Sequence, residues 1–507
     1  MTASQPPTDQ ASSELPQSET GLNGADGTGP ARETEVAALP PGAALTIGIL
    51  VVSASIMILN ETIMGVALPA LITDLSISVT VAQWLTSGFM LTMAVVIPIT
   101  GFLLQRLSAR TVYLGSMLSF SAGTVIAALS PGFGLLMTGR VVQACGTAVM
   151  IPLLMTSIVR LVPPSRLGAT MGTITIVIAV APAIGPTLSG VILSVLSWQW
   201  TFWLVLPLAL LALAVGARWL RVTTEPRPVP LDLISVGLSV VAFGGLVFGL
   251  SSTGDQARGS ALVSPWVPTV LGAVALAAFT RRQLRLQVDG RALLNLRPLG
   301  FRPFVVSLIL MIMTFMALFG TLILLPLYLQ EVLRVSAFVT GLAVLPGGLV
   351  MGVLGPVVGR LYDKVGARPL VPPGALLLAL SLWLFTTLDA ASPLLAIVGL
   401  HVLLVVGISF IVTPLMTDAL RQLPAELDSH GSAILSTLQQ VAGAAGTALF
   451  ITMMALGSQH PTAGVDVTGA RVAFLCAAII ATVALPVTFL IGRRSDGPKR
   501  ESNAAAG

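Results

Sequence analysis

The run GAALTIGILVVSASIMILNETIMGVALPALI, residues 42–72, carries one ionisable side chain, Glu61, among residues that are almost all apolar. About 20 apolar residues suffice to cross the ~30 Å hydrocarbon core of a membrane as an α-helix. A charged side chain near the middle of the membrane costs ~3 kcal/mol on insertion scales, and the few that occur are mostly functional. The run therefore predicts a membrane-spanning helix with a candidate functional carboxylate.

The rest of the chain has the same composition as this run. Of its 507 residues, 55% are hydrophobic and 9% are charged, whereas about 25% of the residues in a soluble domain are charged. The apolar runs predict an all-α integral membrane protein with fourteen transmembrane helices. The predicted helices lie near residues 43–68, 80–104, 111–130, 134–159, 170–196, 201–221, 232–251, 266–282, 303–328, 336–358, 369–388, 394–416, 432–456 and 469–492.

The residue types argue against several other classes of protein. Cys145 and Cys476 both lie in apolar runs, which predicts buried thiols and neither a disulfide nor a metal site. The two lysines, Lys364 and Lys499, lie outside any phosphate-binding G-x-x-x-x-G-K-[ST] loop. Basic residues flank the apolar runs and form no patch for nucleic acid. We therefore expect a protein that is not an enzyme, with no cofactor, no metal and no nucleic-acid partner.

The distribution of arginine and lysine predicts the orientation of the chain. If the N-terminus is cytosolic, the outer loops contain Arg258, Arg334 and Arg471, and Arg140 falls inside a predicted helix. All the other basic residues then lie in cytosolic segments, as the positive-inside rule requires. We expect a multi-pass protein of the cell (plasma or inner) membrane with both termini in the cytosol.

Two similar segments indicate an internal repeat. GFLLQRLSAR begins at Gly101, and GRLYDKVGAR begins at Gly359, 258 residues later. Repeated six-helix units around a site near the middle of the membrane are typical of transporters. The sequence therefore predicts a disordered cytosolic tail at 1–42, a six-helix half at 43–222, two inserted helices with a basic connector at 223–302, a second six-helix half at 303–492 and a cytosolic tail at 493–507.

Four further motifs resemble those of one family. LNETIMGVALP (59–69) resembles a first-helix motif, and AQWLTSGFML (82–91) resembles a second-helix motif. GRVVQACGTAVMIP (139–152) resembles a fourth-helix motif, and APAIGPTLSG (181–190) resembles a fifth-helix antiporter motif. Together they are similar to the major facilitator superfamily, in particular to its fourteen-span drug:proton antiporter branch of EmrB/QacA type. The LNET variant resembles a subgroup of lincomycin-type exporters, a resemblance that assigns no substrate.

The resemblance implies a major facilitator fold, in which two six-helix halves, here with two inserted central helices, alternate access to a central cavity. It also implies motifs that govern the change of conformation. In this chain the residues of those motifs are Gly101, Gln105, Arg106, Arg110, Pro182, Gly185, Pro186, Gly190, Gly359, Asp363, Gly366 and Arg368.

The chain departs from the family pattern at several of these positions. Asn60 stands where an aspartate is usual, and Gln199 stands where an arginine is usual. Gln105 and Ser108 replace the acid and the glycine of the inner-loop motif. The second copy of that motif keeps both, as Asp363 and Gly366. We therefore expect the two copies to contribute unequally.

Glu61 and Arg140 are the candidate proton-coupling pair. Glu61 lies about 8 residues, ~12 Å, from the outer end of its helix, and Arg140 lies about 6 residues, ~9 Å, from the outer end of the fourth helix. In the family fold both helices line the cavity, so the resemblance implies that Arg140 partners a proton-carrying Glu61. A static structural ion pair is the alternative. His401 occupies the position of Arg140 in the second half, as a coupling residue or as a packing residue.

Other polar residues are candidates for the cavity wall. Asn60 and Thr62 flank Glu61, and Gln143 and Thr147 share one helical face with Arg140 at spacings of three and four. The thirteenth helix carries a polar stripe of its own, which includes Gln440. Close packing of small residues explains that stripe equally well.

The sequence thus predicts a proton-coupled multidrug or small-molecule efflux transporter that works by alternating access. Its expected partners are a small lipophilic or cationic drug-like substrate, protons and the lipid bilayer, and we expect a monomer. One alternative is a dedicated exporter of a single metabolite or antibiotic with the same mechanism. Another, from a different class, is a membrane receptor or scaffold that transports nothing.

Overall fold

A computed structural model describes residues 42–77, 79–220, 232–257, 264–458 and 466–492. The described residues form one compact unit. Both predicted tails, 1–42 and 493–507, lie outside the described residues, except for Gly42. The α-helices are α1 Ala43–Asp74, α2 Val79–Arg106, α3 Ala109–Ala128, α4 Phe133–Leu161, α5 Leu167–Val195, α6 Trp200–Trp219, α7 Leu233–Ala257, α8 Trp266–Leu286, α9 Arg302–Leu327, α10 Ala337–Val365, α11 Val371–Phe385, α12 Leu394–Arg421, α13 Asp428–Gly457 and α14 Val467–Thr488.

Each predicted helix overlaps one of these α-helices, because every long apolar run became helical. In the described part of the chain, eleven helices are long and apolar enough to cross a membrane. The helices α5, α8 and α11 are not among them, and α11 has 15 residues. The protein is therefore an all-helical, multi-pass membrane protein, and the number of fourteen crossings stays a prediction.

The helices pack into two groups with the same pattern of neighbours. In the first bundle, α1–α6, the contacts are α1 with α4, α5 and α6, α4 with α2 and α3, and α3 with α6. In the second bundle, α9–α14, the equivalent contacts are α9 with α12, α13 and α14, α12 with α10 and α11, and α11 with α14. The same helix order therefore produces the same packing twice.

The helices α7 and α8 pack against each other, with Phe243 and Phe279 edge to face at 6.0 Å. The helix α7 also lies against α2 of the first bundle and α13 of the second. Phe248 of α7 stacks on Trp84 of α2 with the ring centroids 5.3 Å apart. The inserted pair thus borders the place where the two bundles meet.

The two bundles contact each other most extensively along α5 with α10 and along α2 with α13, which we call the two seams; α5 also contacts α12, and α4 contacts α13. We call the end of the molecule at which α2 and α10 end the basic end, because Arg106, Arg110, Arg360 and Arg368 lie there. In the described residues, the hydrogen bonds that join the bundles lie in the part of the molecule nearer this end. The structure is therefore a conformer closed at the basic end.

Candidate functional site

The three polar residues at the middle of α1 have different surroundings. Asn60 is 1% exposed, and its Nδ2 has no hydrogen-bond partner. Glu61 is half-buried. Thr62 donates its hydroxyl to the carbonyl of Leu59 at 2.9 Å and lies 3.4 Å from the carbonyl of Ala181 in α5. The ionisable side chain thus keeps accessible surface beside a buried amide.

Arg140 of α4 is fully buried and is held by neighbouring helices. Its Nε lies 3.4 Å from the Leu85 carbonyl of α2, and its Nη1 donates to Gln143 Oε1 at 3.1 Å. The guanidinium carbon lies 4.0 Å from the ring centroid of Phe89. Its Nη2 is buried with no hydrogen-bond partner. A buried guanidinium with an unused Nη2 amino group can still donate hydrogen bonds to an incoming carboxylate or to a polar ligand atom.

Gln143 and Thr147 lie on the same helix face but are not at an open wall. Gln143 is fully buried and donates from Nε2 to Thr124 Oγ1 of α3 at 2.8 Å. Thr147 donates to the Gln143 carbonyl at 3.0 Å and is 5% exposed. The face that the sequence suggested as cavity wall is, in this conformer, a buried hydrogen-bond network between α3 and α4, because Thr124 of α3 accepts the hydrogen bond of Gln143. Its effect is to orient Arg140.

Glu61 and Arg140 lie on packed helices, α1 and α4. Their charged groups are not within ion-pair distance of 4.0 Å, although the two opposite charges act on each other through space. The static ion pair weighed in the sequence analysis is thus absent between these two described side chains in this conformer. The arrangement leaves a carboxylate and a buried cation separated, each able to change partner.

His401 lies apart from this site, in the second bundle. It is the eighth residue of α12, as Arg140 is the eighth residue of α4. It is 4% exposed, its Nδ1 has no hydrogen-bond partner, and a Cβ at Gly347 of α10 would lie 2.6 Å from its Nε2. The structure therefore places His401 against a glycine of a neighbouring helix, as a packing residue would be.

Gln440, the candidate on α13, is half-buried.

The two inner-loop motifs occupy equivalent places at the basic end. Asp363 accepts hydrogen bonds from the N–H groups of Gly168 and Ala169, at 2.7 and 2.8 Å, at the first turn of α5. Gln105 donates to the Glu426 carbonyl, just before α13, at 3.4 Å. The first is a charge-assisted cap on a helix N-terminus, and the second is one long neutral bond.

The remaining inner-loop motif residues lie in the seams or beside them at the basic end. Gly101 lies against His430 of α13, and Gly359 lies against the Gly168 carbonyl of α5. Gly366 ends α10 with a φ of 80°, a conformation that favours glycine. Arg110 donates to the Ala217 carbonyl at the end of α6. Arg106 lies 5.9 Å from the ring centroid of Phe102, and Arg368 is exposed.

The fifth-helix motif lies along the α1 face of α5. The helix continues through Pro182 and Pro186 without a break. A Cβ at Gly185 would lie 2.2 Å from Thr62 Oγ1, so this glycine permits the close approach of α1 and α5, whereas a Cβ at Gly190 would meet nothing within 4 Å.

The sequence analysis missed three contributors to the site. Thr124 and Phe89 fix the position of Arg140, and His430 lies between α2 and the segment after α8. Phe89 was visible inside the second-helix motif, but the contacts of Thr124 and His430 depend on tertiary packing. Two related bundles, closed against each other at one end around polar side chains at mid-helix, define a membrane transporter.

The sequence matches the family described as Major Facilitator Superfamily over residues 50–447. The chain is 43% identical to the lincomycin resistance protein LmrB of Listeria innocua, over 79% of this chain and 84% of the relative. It is 38% identical to the lincomycin resistance protein LmrB of Bacillus subtilis, over 88% and 95%. The crystal structure of the human organic anion transporter MFSD10 (TETRAN) has the same fold, with a TM-score of 0.63, 16% identity and coverage of 89% of this chain and 100% of that one. The chain belongs to the major facilitator superfamily.

Proposed function

We propose that this protein is a fourteen-span antiporter of EmrB/QacA type that exports small lipophilic or cationic drug-like molecules in exchange for protons. It works in the cell membrane as a monomer, with both termini and the basic end in the cytosol. The relatives named for lincomycin resistance support export of a drug, since they match most of their length at 38–43% identity. The conformer closed at the basic end is then the outward-facing one.

The single observation that carries proton coupling is the environment of Glu61. It is an ionisable group at the middle of α1, half-buried, on a helix that packs against the helix of the buried Arg140. A carboxylate inside the membrane is stabilised by a nearby cation and is neutralised by a proton when that cation is distant or engaged elsewhere. Because Arg140 has an unused donor, it can bind Glu61 in one conformation and substrate in the other.

The mechanism follows from these two groups and the seams. In the outward-facing conformer Glu61 takes a proton from outside, which removes a charge from the membrane interior. The bundles then separate at the basic end and close at the other end. Substrate that enters from the cytosol displaces the proton, and Glu61 turns to Arg140. One proton moving through ~100 mV supplies about 2.3 kcal/mol, enough for a gradient of roughly fifty-fold.

The test compares Glu61→Gln with the parent in proteoliposomes, with lincomycin and ethidium as probes. We expect Glu61→Gln to lose accumulation driven by a proton gradient, while exchange of internal for external probe continues. Ser55→Ala, a half-buried position on the same helix, is the matched control and should behave as the parent. Gradient-driven accumulation by Glu61→Gln at the parental rate would remove Glu61 from coupling and leave His401 as the next candidate.

A dedicated exporter of one compound is the second candidate. The observation in its favour is that the two relatives above are named for resistance to a single antibiotic. A resistance profile of cells that produce the protein separates the two functions, since a dedicated exporter protects against one chemical class. A multidrug exporter protects against several unrelated ones.

A further inference from the structure

We propose that His430 is a positioning residue for transport, which ties the connector after the inserted helices to the α2–α13 seam. The connector comprises residues 287–301. The tie holds that seam shut in the conformer closed at the basic end, and the inserted pair α7–α8 thereby acts on the opening and closing of the two bundles. This inference rests on the transport function proposed above.

His430 lies between three parts of the molecule. It is in the first turn of α13 and is 2% exposed. Its Nδ1 accepts a hydrogen bond from the Asn295 N–H of the connector at 3.3 Å. A Cβ at Gly101 of α2 would lie 2.9 Å from the same nitrogen, so the absence of a side chain there makes room for the imidazole. One buried side chain of the second bundle thus contacts the first bundle and the connector together.

The connector is itself fixed to both inserted helices. The Leu294 N–H donates to Oε1 of the fully buried Gln283 in α8 at 3.2 Å. Gln283 donates through Nε2 to Ser235 Oγ in α7 at 2.7 Å. Arg282 binds Asp232 through two hydrogen bonds of 2.7 and 2.9 Å, immediately before α7. A continuous set of hydrogen bonds therefore runs from α7 and α8 through the connector to α13.

The connector is also held by apolar burial. Leu293 and Leu294 are 1% and 3% exposed and belong to the main apolar core. The Leu296 N–H donates to Gln287 Oε1 at 3.2 Å. Two buried leucine side chains anchor the segment more firmly than its backbone bonds alone would. The segment is thus docked by side chains as well as by its backbone, so its tie to His430 restrains α13.

The hydrogen bond between His430 and the connector lies at the seam that has the weaker inner-loop contact. The α5–α10 seam has the charged cap of Asp363 on α5, with two short hydrogen bonds. At the equivalent place the α2–α13 seam has Gln105, with one bond of 3.4 Å. His430 and the connector lie at that weaker seam. They supply there a restraint in addition to the single Gln105 bond.

The experiment measures opening of the α2–α13 seam directly. Cys145 and Cys476 are replaced by serine, and Ala433→Cys introduces a reporter that is buried next to Gly101. The rate of maleimide modification is followed in nanodiscs, where both faces are accessible. His430→Leu removes the acceptor and should raise the rate about fivefold, as the loss of a typical hydrogen bond predicts. His430→Asn keeps an acceptor near the same position and should stay within about twofold of the reporter parent.

Two further variants keep the outcome decisive. Gln283→Leu breaks the connection between the connector and α7 without touching the seam, and it should raise the rate as His430→Leu does. Arg334→Gln breaks an exposed ion pair with Glu331 and should not change the rate. Unchanged modification in both His430→Leu and Gln283→Leu, or equal acceleration by His430→Asn and His430→Leu, overturns the proposal. Because the assay contains neither substrate nor a proton gradient, a failure of the proposed function leaves this result intact.

Discussion

The α5–α10 and α2–α13 seams join the same two bundles at the same end, yet they are built from different groups. Along α5–α10 the backbones touch, since a Cβ at Gly172 would lie 2.3 Å from the Gly355 carbonyl. Asp363 then caps α5. Along α2–α13 only Gly101 gives a close approach among the described residues, and it meets the imidazole of His430 instead of a backbone carbonyl. One seam is closed by backbone contact and charge, and the other by a side chain and a docked connector.

This difference follows from the sequences of the two repeats. The α5–α10 seam pairs GATMG, residues 168–172, with GPVVG, residues 355–359, two G-x-x-x-G segments of the kind that let membrane helices approach closely. In α2 the position of Gly355 is taken by Ile97, which belongs to an apolar cluster with Ala144 and Ala148 of α4, so α2 has no G-x-x-x-G segment at this seam. At this seam the contact with Gly101 is made by the His430 side chain of α13, which the connector after α8 also binds.

The first prediction, with the largest expected effect on transport, concerns Gly355, where α10 crosses α5 at Gly172. An alanine Cβ at position 355 would lie 2.6 Å from the Gly172 carbonyl and 2.7 Å from Thr175 Cβ. Overpacking of this kind costs roughly 1–3 kcal/mol, which is about 5–150-fold in an equilibrium. Gly355→Ala should therefore lower the initial transport rate by about that factor at equal abundance. Gly341→Ala on the same helix meets nothing within 4 Å and should transport as the parent. Equal rates for the two variants would contradict the backbone-contact account.

The sequence predicted the helices and the inequality of the two motifs, and the physical reason is local. Long apolar runs and the positions of the arginines determine where helices lie in a membrane. The missing carboxylate at Gln105 can be read directly by comparing the two copies of the inner-loop motif. The sequence alone did not identify the helix that Asp363 caps. Its identity as α5, and the placement of His430 against Asn295, depend on how two bundles dock, which no local pattern records.

The site at the middle of α1 shows the same limit. Glu61 stood out because it is the one ionisable residue in the apolar run 42–72. Arg140 stood out because it is a single basic residue inside a predicted helix. The sequence also placed Gln143 on the face of Arg140. It did not predict that Thr124 would bury that amide between α3 and α4, because Thr124 lies on another helix.

The second prediction compares the two motif side chains. Asp363→Asn keeps one acceptor oxygen and loses the charge at the N-terminus of α5, so one of two hydrogen bonds and the dipole attraction are lost. Hydrogen bonds to charged groups contribute about 1.5–3 kcal/mol, and we expect roughly tenfold slower transport. Gln105→Ala loses one long neutral bond and should slow transport less than about threefold. The measurement is the initial transport rate of each variant at equal abundance in the membrane. Equal losses in Asp363→Asn and Gln105→Ala would show that the two seams are equivalent.

The third prediction concerns two hydroxyl pairs between the bundles that should be alike. Thr175 and Thr413 lie 2.8 Å apart between α5 and α12, and Thr156 and Ser432 lie 2.8 Å apart between α4 and α13. Both are neutral and buried, so each should contribute about 0.5–1.5 kcal/mol. Thr175→Val and Ser432→Ala should accelerate modification of a cysteine at position 433 by similar factors. A large effect from one and none from the other would extend the asymmetry of the seams beyond the motifs.

The smallest effect is expected from the Asp232–Arg282 ion pair of the inserted helices, whose proposed link to the α2–α13 seam runs through the connector. The hydrogen bonds from Arg282 lower the pKa of Asp232 from 3.8 to about 2. A depressed carboxyl pKa means that the ion pair stabilises the fold above pH about 4 and stops doing so as pH falls towards about 2. Exposed pairs contribute roughly 0–1 kcal/mol, and the Arg282 side chain is 34% exposed.

Asp232→Asn should therefore lower the midpoint of thermal unfolding slightly at pH 7, and the gap from the parent should close between about pH 4 and about pH 2. The measurement is a thermal melt of both proteins in detergent across that range, with Arg334→Gln, which breaks the exposed pair with Glu331, as the control without effect on the seam. Because the amide of the Asp232→Asn variant cannot titrate, the melting curve of that variant supplies the baseline for every other carboxylate in the chain. A difference in melting temperature that stays constant across the whole pH range would mean that Asp232 stabilises the protein through hydrogen bonds that do not need its charge. The charge of the pair would then add nothing to the way the inserted helices are fixed.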